Sequence, residues 1–193
     1  LCYRCHGDST NKPAPRTTRQ IAQTNTRLEF NASNPSFHPV GSPGRSTSVP
    51  SLIAPYTTAS TITCGSCHNS NTGPGAGGTG PNGPHGSTFT PLLERQYVVA
   101  DNSSESAANY ALCYKCHTRT SILADAAGSF KEHNKHISGE RTPCNVCHDP
   151  HGISATQGTT ANNSKLIHFD RSVVSARTGT GAPGVPVFTS TGN

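Results

Sequence analysis

Methionine and tryptophan are missing from the 193 residues, aromatics amount to 6%, and hydrophobic residues of all kinds to 31%. Without methionine, no thioether is available to coordinate a metal. So little apolar material excludes an ordinary side-chain core in a chain whose length suggests one domain. No stretch approaches the roughly 18 apolar residues that a membrane-spanning helix requires, which excludes a helical span. The 15 lysines and arginines form no basic run, so the formal charge of +5 gives no nucleic-acid-binding stripe. Gly73 to Gly86 is glycine-rich, yet no strand precedes it and no Gly-Lys-Ser/Thr closes it, which excludes a nucleotide phosphate loop. The chain is instead rich in turn formers, 19 Gly and 15 Pro. That composition suggests either disorder or a loop-rich scaffold stapled by something other than its own side chains.

The eight cysteines are placed with strict regularity. They form Cys2-Tyr3-Arg4-Cys5-His6, Cys64-Gly65-Ser66-Cys67-His68, Cys113-Tyr114-Lys115-Cys116-His117 and Cys144-Asn145-Val146-Cys147-His148. Two thiols three positions apart can add to the two vinyl groups of one haem, and the next imidazole then lies under the iron, which is the c-type haem attachment signal. Zinc ribbons and redox dithiols also use Cys-x-x-Cys, but neither requires a histidine after the second cysteine. Here it follows in every case. The pattern predicts four covalent haems (heme c) that use every cysteine.

Four flat apolar macrocycles would supply the buried surface the side chains lack, so the expectation is an unfolded apoprotein and a holoprotein with a core mostly of haem. The scattered Lys and Arg residues suit local pairing with haem propionates. The chain starts at Leu1 with a haem unit one residue later, as a mature protein cut from a secretory precursor would. Haem attachment to thiols also fits the export side of a membrane, hence periplasm or cell exterior.

Four irons have eight axial positions. His6, His68, His117 and His148 fill four, methionine can fill none, and His38, His85, His133, His136, His151 and His168 remain. Bis-histidine ligation is therefore easy, and its saturated irons move electrons rather than bind small substrates, which argues against an enzyme. His38 stands between prolines in Asn34-Pro35-Ser36-Phe37-His38-Pro39 on a stiff, extended support. His85 closes the glycine-rich loop, where it could reach an iron. His133 and His136 are three apart and share a helical face, so at least one should bind. His151 follows His148 past a proline and could serve an adjacent haem. His168, in an apolar Ile-His-Phe setting, reads as structural.

Expected elements are few: an extended piece over Tyr56–Cys64, a strand or short helix over Pro91–Ala100, a helix over Glu105–His117 capped by Ser103 or Ser104, and a short helix over Ser129–Ile137. Residues 7–33 read as loop in which short helical turns are possible, 41–55 as loop, and the uncharged end from Thr178 as a tail that is disordered or lies on a partner. Asn31, Asn102 and Asn162 head glycosylation sequons.

Ser36-Phe37-His38-Pro39-Val40, Gly83-Pro84-His85-Gly86-Ser87 with the following Leu92-Leu93-Glu94 and Tyr97, His133-Asn134-Lys135-His136-Ile137, and Cys144 to Gly152 together resemble the multihaem c-type cytochromes of metal-reducing bacteria. With four haems in this length, the likeness is to extracellular tetrahaem cytochromes of the OmcE type, and it spans residues 1 to about 170. The resemblance implies a mostly irregular fold with a few short α-helices and minimal β structure around a continuous haem stack. It also implies polymerisation into an extracellular filament, with an axial histidine donated between subunits. Electrons would come from outer-membrane or periplasmic cytochromes and leave to extracellular acceptors. On this likeness His38, His85, His151 and one or both of His133 and His136 are distal ligands. His168 departs from it, since asparagine is expected there.

Overall fold

Glycine and proline set the scale of the secondary structure, and no element exceeds five residues among those described. The computed structural model describes residues 1–7, 14–125, 127–156, 163–180 and 185–189. The sequon asparagine Asn162 and parts of the expected tail lie outside them. In chain order the elements are α1 (Cys2–His6), α2 (Thr26–Glu29), β1 (Ser36–Phe37), 3-10 turns at Cys64–Ser66 and Pro74–Ala76, α3 (Ala111–Tyr114), α4 (Arg119–Leu123), a π turn at Lys135–Gly139, α5 (Cys144–Cys147) and β2 (Gly152–Ile153). The rest is coil and turn. None of the described helices is long and apolar enough to cross a membrane.

The chain divides into two units, Leu1–Ser48 with Pro143–Asn193, and Val49–Thr142. In the first, β1 pairs antiparallel with β2, Ser36 opposite Ile153 and Phe37 opposite Gly152. The pairing continues as His38 N–H donates to the His151 carbonyl at 3.1 Å. Gly152 is required here, because a Cβ would meet the Glu29 carbonyl and lie 2.8 Å from Phe37 Cβ. Asn25 caps α2 by accepting from Arg27 N–H at 3.0 Å, and Asn34 Nδ2 donates to the carbonyls of Leu28 (2.6 Å) and Glu29 (2.8 Å) at its end.

In the second unit Glu94 is the buried hub. Lys115 Nζ donates to its Oε1 at 2.7 Å and to the Ser66 carbonyl at 2.8 Å, and Asn69 Nδ2 reaches Oε2 at 3.3 Å. Arg119 makes a two-point pair with Glu105, which also accepts from the Tyr114 hydroxyl at 2.9 Å. These lysine and arginine side chains are thus engaged by the protein's own carboxylates as well as being candidates for propionates.

The interior is more polar than apolar. Among the described residues seven hydrophobic side chains are buried (Phe37, Leu93, Tyr110, Ile137, Val146, Ile153, Ile167) against eleven polar or charged ones. Hydrogen-bonded networks therefore fix the loops more than apolar packing does.

Four expected elements differ from what forms. The helix over 105–117 shrinks to α3, with no side-chain cap on Tyr110. Ser106 Oγ accepts from Asn109 N–H at 3.0 Å and Asn109 Nδ2 donates to the Ser104 carbonyl at 2.8 Å, so local side-chain bonds outcompete the helix start. The extended piece before Cys64 is broken by a turn in which Ser60 N–H donates to the Thr57 carbonyl (3.0 Å) and Thr57 N–H to Ser60 Oγ (2.9 Å). Residues 91–100 form neither strand nor helix, because Leu93, Gln96 and Val98 bond to three separate partners, Phe89, Leu112 and Asn109. Over 129–137 the helical turn is of the π type at Lys135–Gly139.

Candidate functional site

Each Cys-x-x-Cys-His sits on a single helical turn. α1 contains the first, and the 3-10 turn at Cys64–Ser66, α3 and α5 hold the others. In the last three the histidine amide folds back on the first cysteine's carbonyl: His68 to Cys64 at 2.8 Å, His117 to Cys113 at 3.0 Å, His148 to Cys144 at 2.8 Å. Both sulfurs and the imidazole thereby issue from one turn. No disulfide joins any of the eight cysteines.

A second segment clamps each of these three turns in the same way. His68, His117 and His148 form isolated antiparallel bridges with Leu93, Leu52 and Ile167 respectively. The residue after each bridging partner then donates its amide to the second cysteine's carbonyl: Glu94 to Cys67 (2.8 Å), Ile53 to Cys116 (3.1 Å) and His168 to Cys147 (2.8 Å). Just before the bridge lies the partner of each imidazole Nδ1, namely the Pro91 carbonyl for His68 (3.2 Å), Ser51 Oγ for His117 (2.9 Å) and the Lys165 carbonyl for His148 (3.1 Å). A carbonyl accepts only from Nδ1–H, so the neutral form of His68 or His148 carries its lone pair on Nε2, the form in which histidine ligates a metal. Two of the clamps share a strained position as well: Leu92 and Leu166, one before Leu93 and Ile167, have φ of 62° and 63°, a conformation unusual for leucine.

The first unit differs. Cys2, Cys5 and His6 are exposed, and α1 meets α2 through Tyr3, over whose ring the Arg27 guanidinium lies 5.7 Å from the centroid. Cys64, Cys67, Cys113, Cys116, Cys144 and Cys147 are half-buried. Burial pushes the Cys67 thiol up to about 11, with Lys115 opposing, and raises Cys147 as well. Raised thiols are unlike the activated thiolates of redox dithiols.

The candidate distal histidines form two groups and a single. His38 and His151 are neighbours at the open end of the β1–β2 pair; His38 Nδ1 donates to the Pro150 carbonyl, and desolvation holds His38 below the usual histidine range against that bond. His151 Nδ1 bonds Glu29 Oε2 at 3.0 Å and its ring packs against Phe30 at 5.2 Å. Burial works against its charge, but Glu29 outweighs burial and raises its pKa. His133 and His136 flank the Phe130 ring at 5.4 and 5.9 Å. Burial lowers His133. His136 is exposed, its Nδ1 donating to the Glu132 carbonyl at 2.7 Å. His85 is exposed in its loop beside Gly83, whose φ of +109° no other residue adopts readily and whose absent Cβ would stand 3.1 Å from the imidazole.

His168 has another function. It is fully buried, Nδ1 facing Asp149 Oδ2 at 3.4 Å and Nε2 accepting from Ile21 N–H at 3.2 Å. With both ring nitrogens in the protein's own network it holds structure, the reading its apolar neighbours suggested.

The donor chemistry fits haem better than zinc. Among the described residues the one convergence of three metal-type ligand atoms is Glu29, Asp149 and His151, which includes no cysteine. Among the described residues no two Cys-x-x-Cys pairs bring their sulfurs into one such group, although Cys67 lies near enough to Cys116 to feel its charge. Each unit instead offers two unbridged sulfurs and a histidine by itself, oriented in the last three, the set that could hold one haem. The clamp residues Ser51, Leu52, Pro91, Leu93, Lys165 and Ile167 escape motif reading. Their one trace in the sequence is a lone apolar pair in polar surroundings: Leu52-Ile53, Leu92-Leu93, Leu166-Ile167.

Compared with family models, with curated proteins and with solved structures, the chain matches none of them.

Proposed function

We propose that the chain is a multihaem c-type cytochrome, a non-enzymatic electron carrier with four covalently attached haems. When bound, these groups supply one-electron transfer by hopping from an upstream donor to a terminal acceptor. Within that class the chain is proposed to be an extracellular tetrahaem cytochrome of the filament-forming type. The observation that carries the reading is the threefold clamp. It holds His68, His117 and His148 by the same pattern of backbone bonds beside two unbridged cysteines each.

The residues divide the labour. Cys2, Cys5, Cys64, Cys67, Cys113, Cys116, Cys144 and Cys147 form the thioethers, and the histidine after each pair ligates the iron. His38, His85, His151 and one or both of His133 and His136 supply the opposite ligands, so that no iron keeps a position open for a substrate. The first unit is exposed, as association with further copies through it would require.

The test is spectroscopic. Purified protein should show sharp bands of low-spin haem that carbon monoxide leaves unchanged after reduction, and carbon monoxide binding would favour an oxidoreductase instead. His38→Ala or His85→Ala should turn one centre high-spin while all four haems stay attached; two silent substitutions would remove these ligand assignments. Negative-stain microscopy of the secreted fraction should show filaments, whereas single-chain particles at every concentration would indicate a monomeric periplasmic shuttle.

A further inference from the structure

The five histidines whose Nδ1 partners are fixed by the clamps or by the β1–β2 end differ in what that nitrogen meets. His117 meets a hydroxyl (Ser51), His68, His148 and His38 meet backbone carbonyls (Pro91, Lys165, Pro150), and of the five His151 alone meets a carboxylate, Glu29 Oε2 at 3.0 Å. Glu29 is buried and stands at the end of α2, its backbone carbonyl held by Asn34 Nδ2 at 2.8 Å. Nearby Asp149 is shared differently: it faces Arg19 Nε and His168 Nδ1, each at 3.4 Å, and its other oxygen accepts from His151 N–H at 3.1 Å. Glu29 is therefore the carboxylate addressed to the His151 ring itself.

We infer that Glu29 is a positioning residue for His151, fixing the ring's orientation and lowering the reduction potential of the one iron that His151 ligates. The inference rests on the proposed function. A carboxylate drawing on Nδ1–H makes Nε2 a stronger donor, which favours the oxidised, more positive iron over the reduced one. Burial of Glu29 keeps its charge from being screened by water, so the effect is larger than for an exposed carboxylate. The couple is one electron per iron, with the proton retained between Nδ1 and Oε2 throughout. The chain would thus hold at least one centre apart in potential by a device that neither Ser51 nor the three backbone carbonyls can reproduce.

Glu29→Gln tests it, because glutamine keeps the volume and can still accept the hydrogen bond while the charge is lost. The four-haem protein is titrated spectroelectrochemically. One midpoint should rise, corresponding to about a tenfold change in its oxidised-to-reduced ratio, or about 59 mV for one electron, with the other three unmoved. Glu29→Asp, which retains the charge at greater distance, should shift the same midpoint less, and serves alone if the glutamine variant does not accumulate. Four midpoints identical to those of the unmodified protein in either accumulating variant would overturn the inference. So would an equal shift from Asn34→Ala, which loosens the end of α2 but spares the carboxylate, since packing would then be the cause. Fewer than four haems in the unmodified protein would instead defeat the proposed function, before any titration.

Discussion

Arg19 carries more of the first unit than any apolar side chain. Its guanidinium donates to the Asn145 carbonyl (2.7 Å), the His148 carbonyl (2.9 Å) and the His168 carbonyl, and its Nε lies 3.4 Å from Asp149. Three carbonyls around the fourth Cys-x-x-Cys-His turn thus depend on one planar fork, which lysine cannot imitate. Arg19→Met should lower the stability of the holoprotein by about 3 kcal/mol or more, since it leaves a buried carboxylate without its cation and several acceptors without donors. A urea midpoint unchanged by this substitution would contradict the assignment. Glu105 gives the pH dependence. Arg119's hydrogen bond holds its pKa below the ordinary value, with burial opposing and the Tyr114 hydroxyl assisting. A depressed carboxyl stabilises the fold above its unfolded pKa, about 4.3, and that contribution is lost as pH falls through the lower folded value. Glu105→Gln should therefore be less stable than the unmodified protein at neutral pH, the gap closing below about pH 4. A gap that stays constant across an acid titration monitored by circular dichroism would refute this.

At the scale of elements, the recurring unit is a one-turn Cys-x-x-Cys-His crossed by an apolar pair. In two of the three, at Leu92-Leu93 and Leu166-Ile167, the first residue of the pair is strained and the second is buried. Leu92 is 43% exposed at φ 62° and Leu93 is 5% exposed. Leu92→Asn should accordingly be neutral or stabilise by up to about 1 kcal/mol, because asparagine tolerates the left-handed region. Leu93→Ala should cost about 2–5 kcal/mol. Chemical denaturation of the two variants compares them directly, and equal effects would deny the clamp its stated geometry. The turns themselves could be read from residues, since Cys, Cys and His at fixed spacing fold locally, as could the mostly irregular chain from its Gly and Pro. The clamps could not. Leu52 and His117 are 65 residues apart, and nothing in either segment encodes its partner. The helix expected over 105–117 failed for a related reason: Ser106 and Asn109, acceptable in a propensity sum, spend their hydrogen bonds on a turn. His168 was legible because its apolar neighbours marked it as interior, whereas Glu29, an acidic residue in a polar stretch, left no sign of its contact with His151.

For the molecule as a whole, the shortage of apolar side chains is the governing fact. Seven buried hydrophobic residues among those described cannot offset the conformational entropy of ordering so long a chain. Tetrapyrroles held by eight thioethers are proposed to make up the difference. The chain produced without haem attachment should then lack a cooperative thermal transition and be digested rapidly by protease. A sharp transition in haem-free material would show that side chains suffice. The proposed role in long-range electron transfer needs every centre present in every copy, because one vacant position interrupts a chain of hops.

The most direct test of that account is the intact mass of the purified protein. Four haems should be added to each polypeptide, with no cysteine left to react with a thiol reagent under denaturing conditions. A mass corresponding to fewer than four, or thiols that still react, would contradict it.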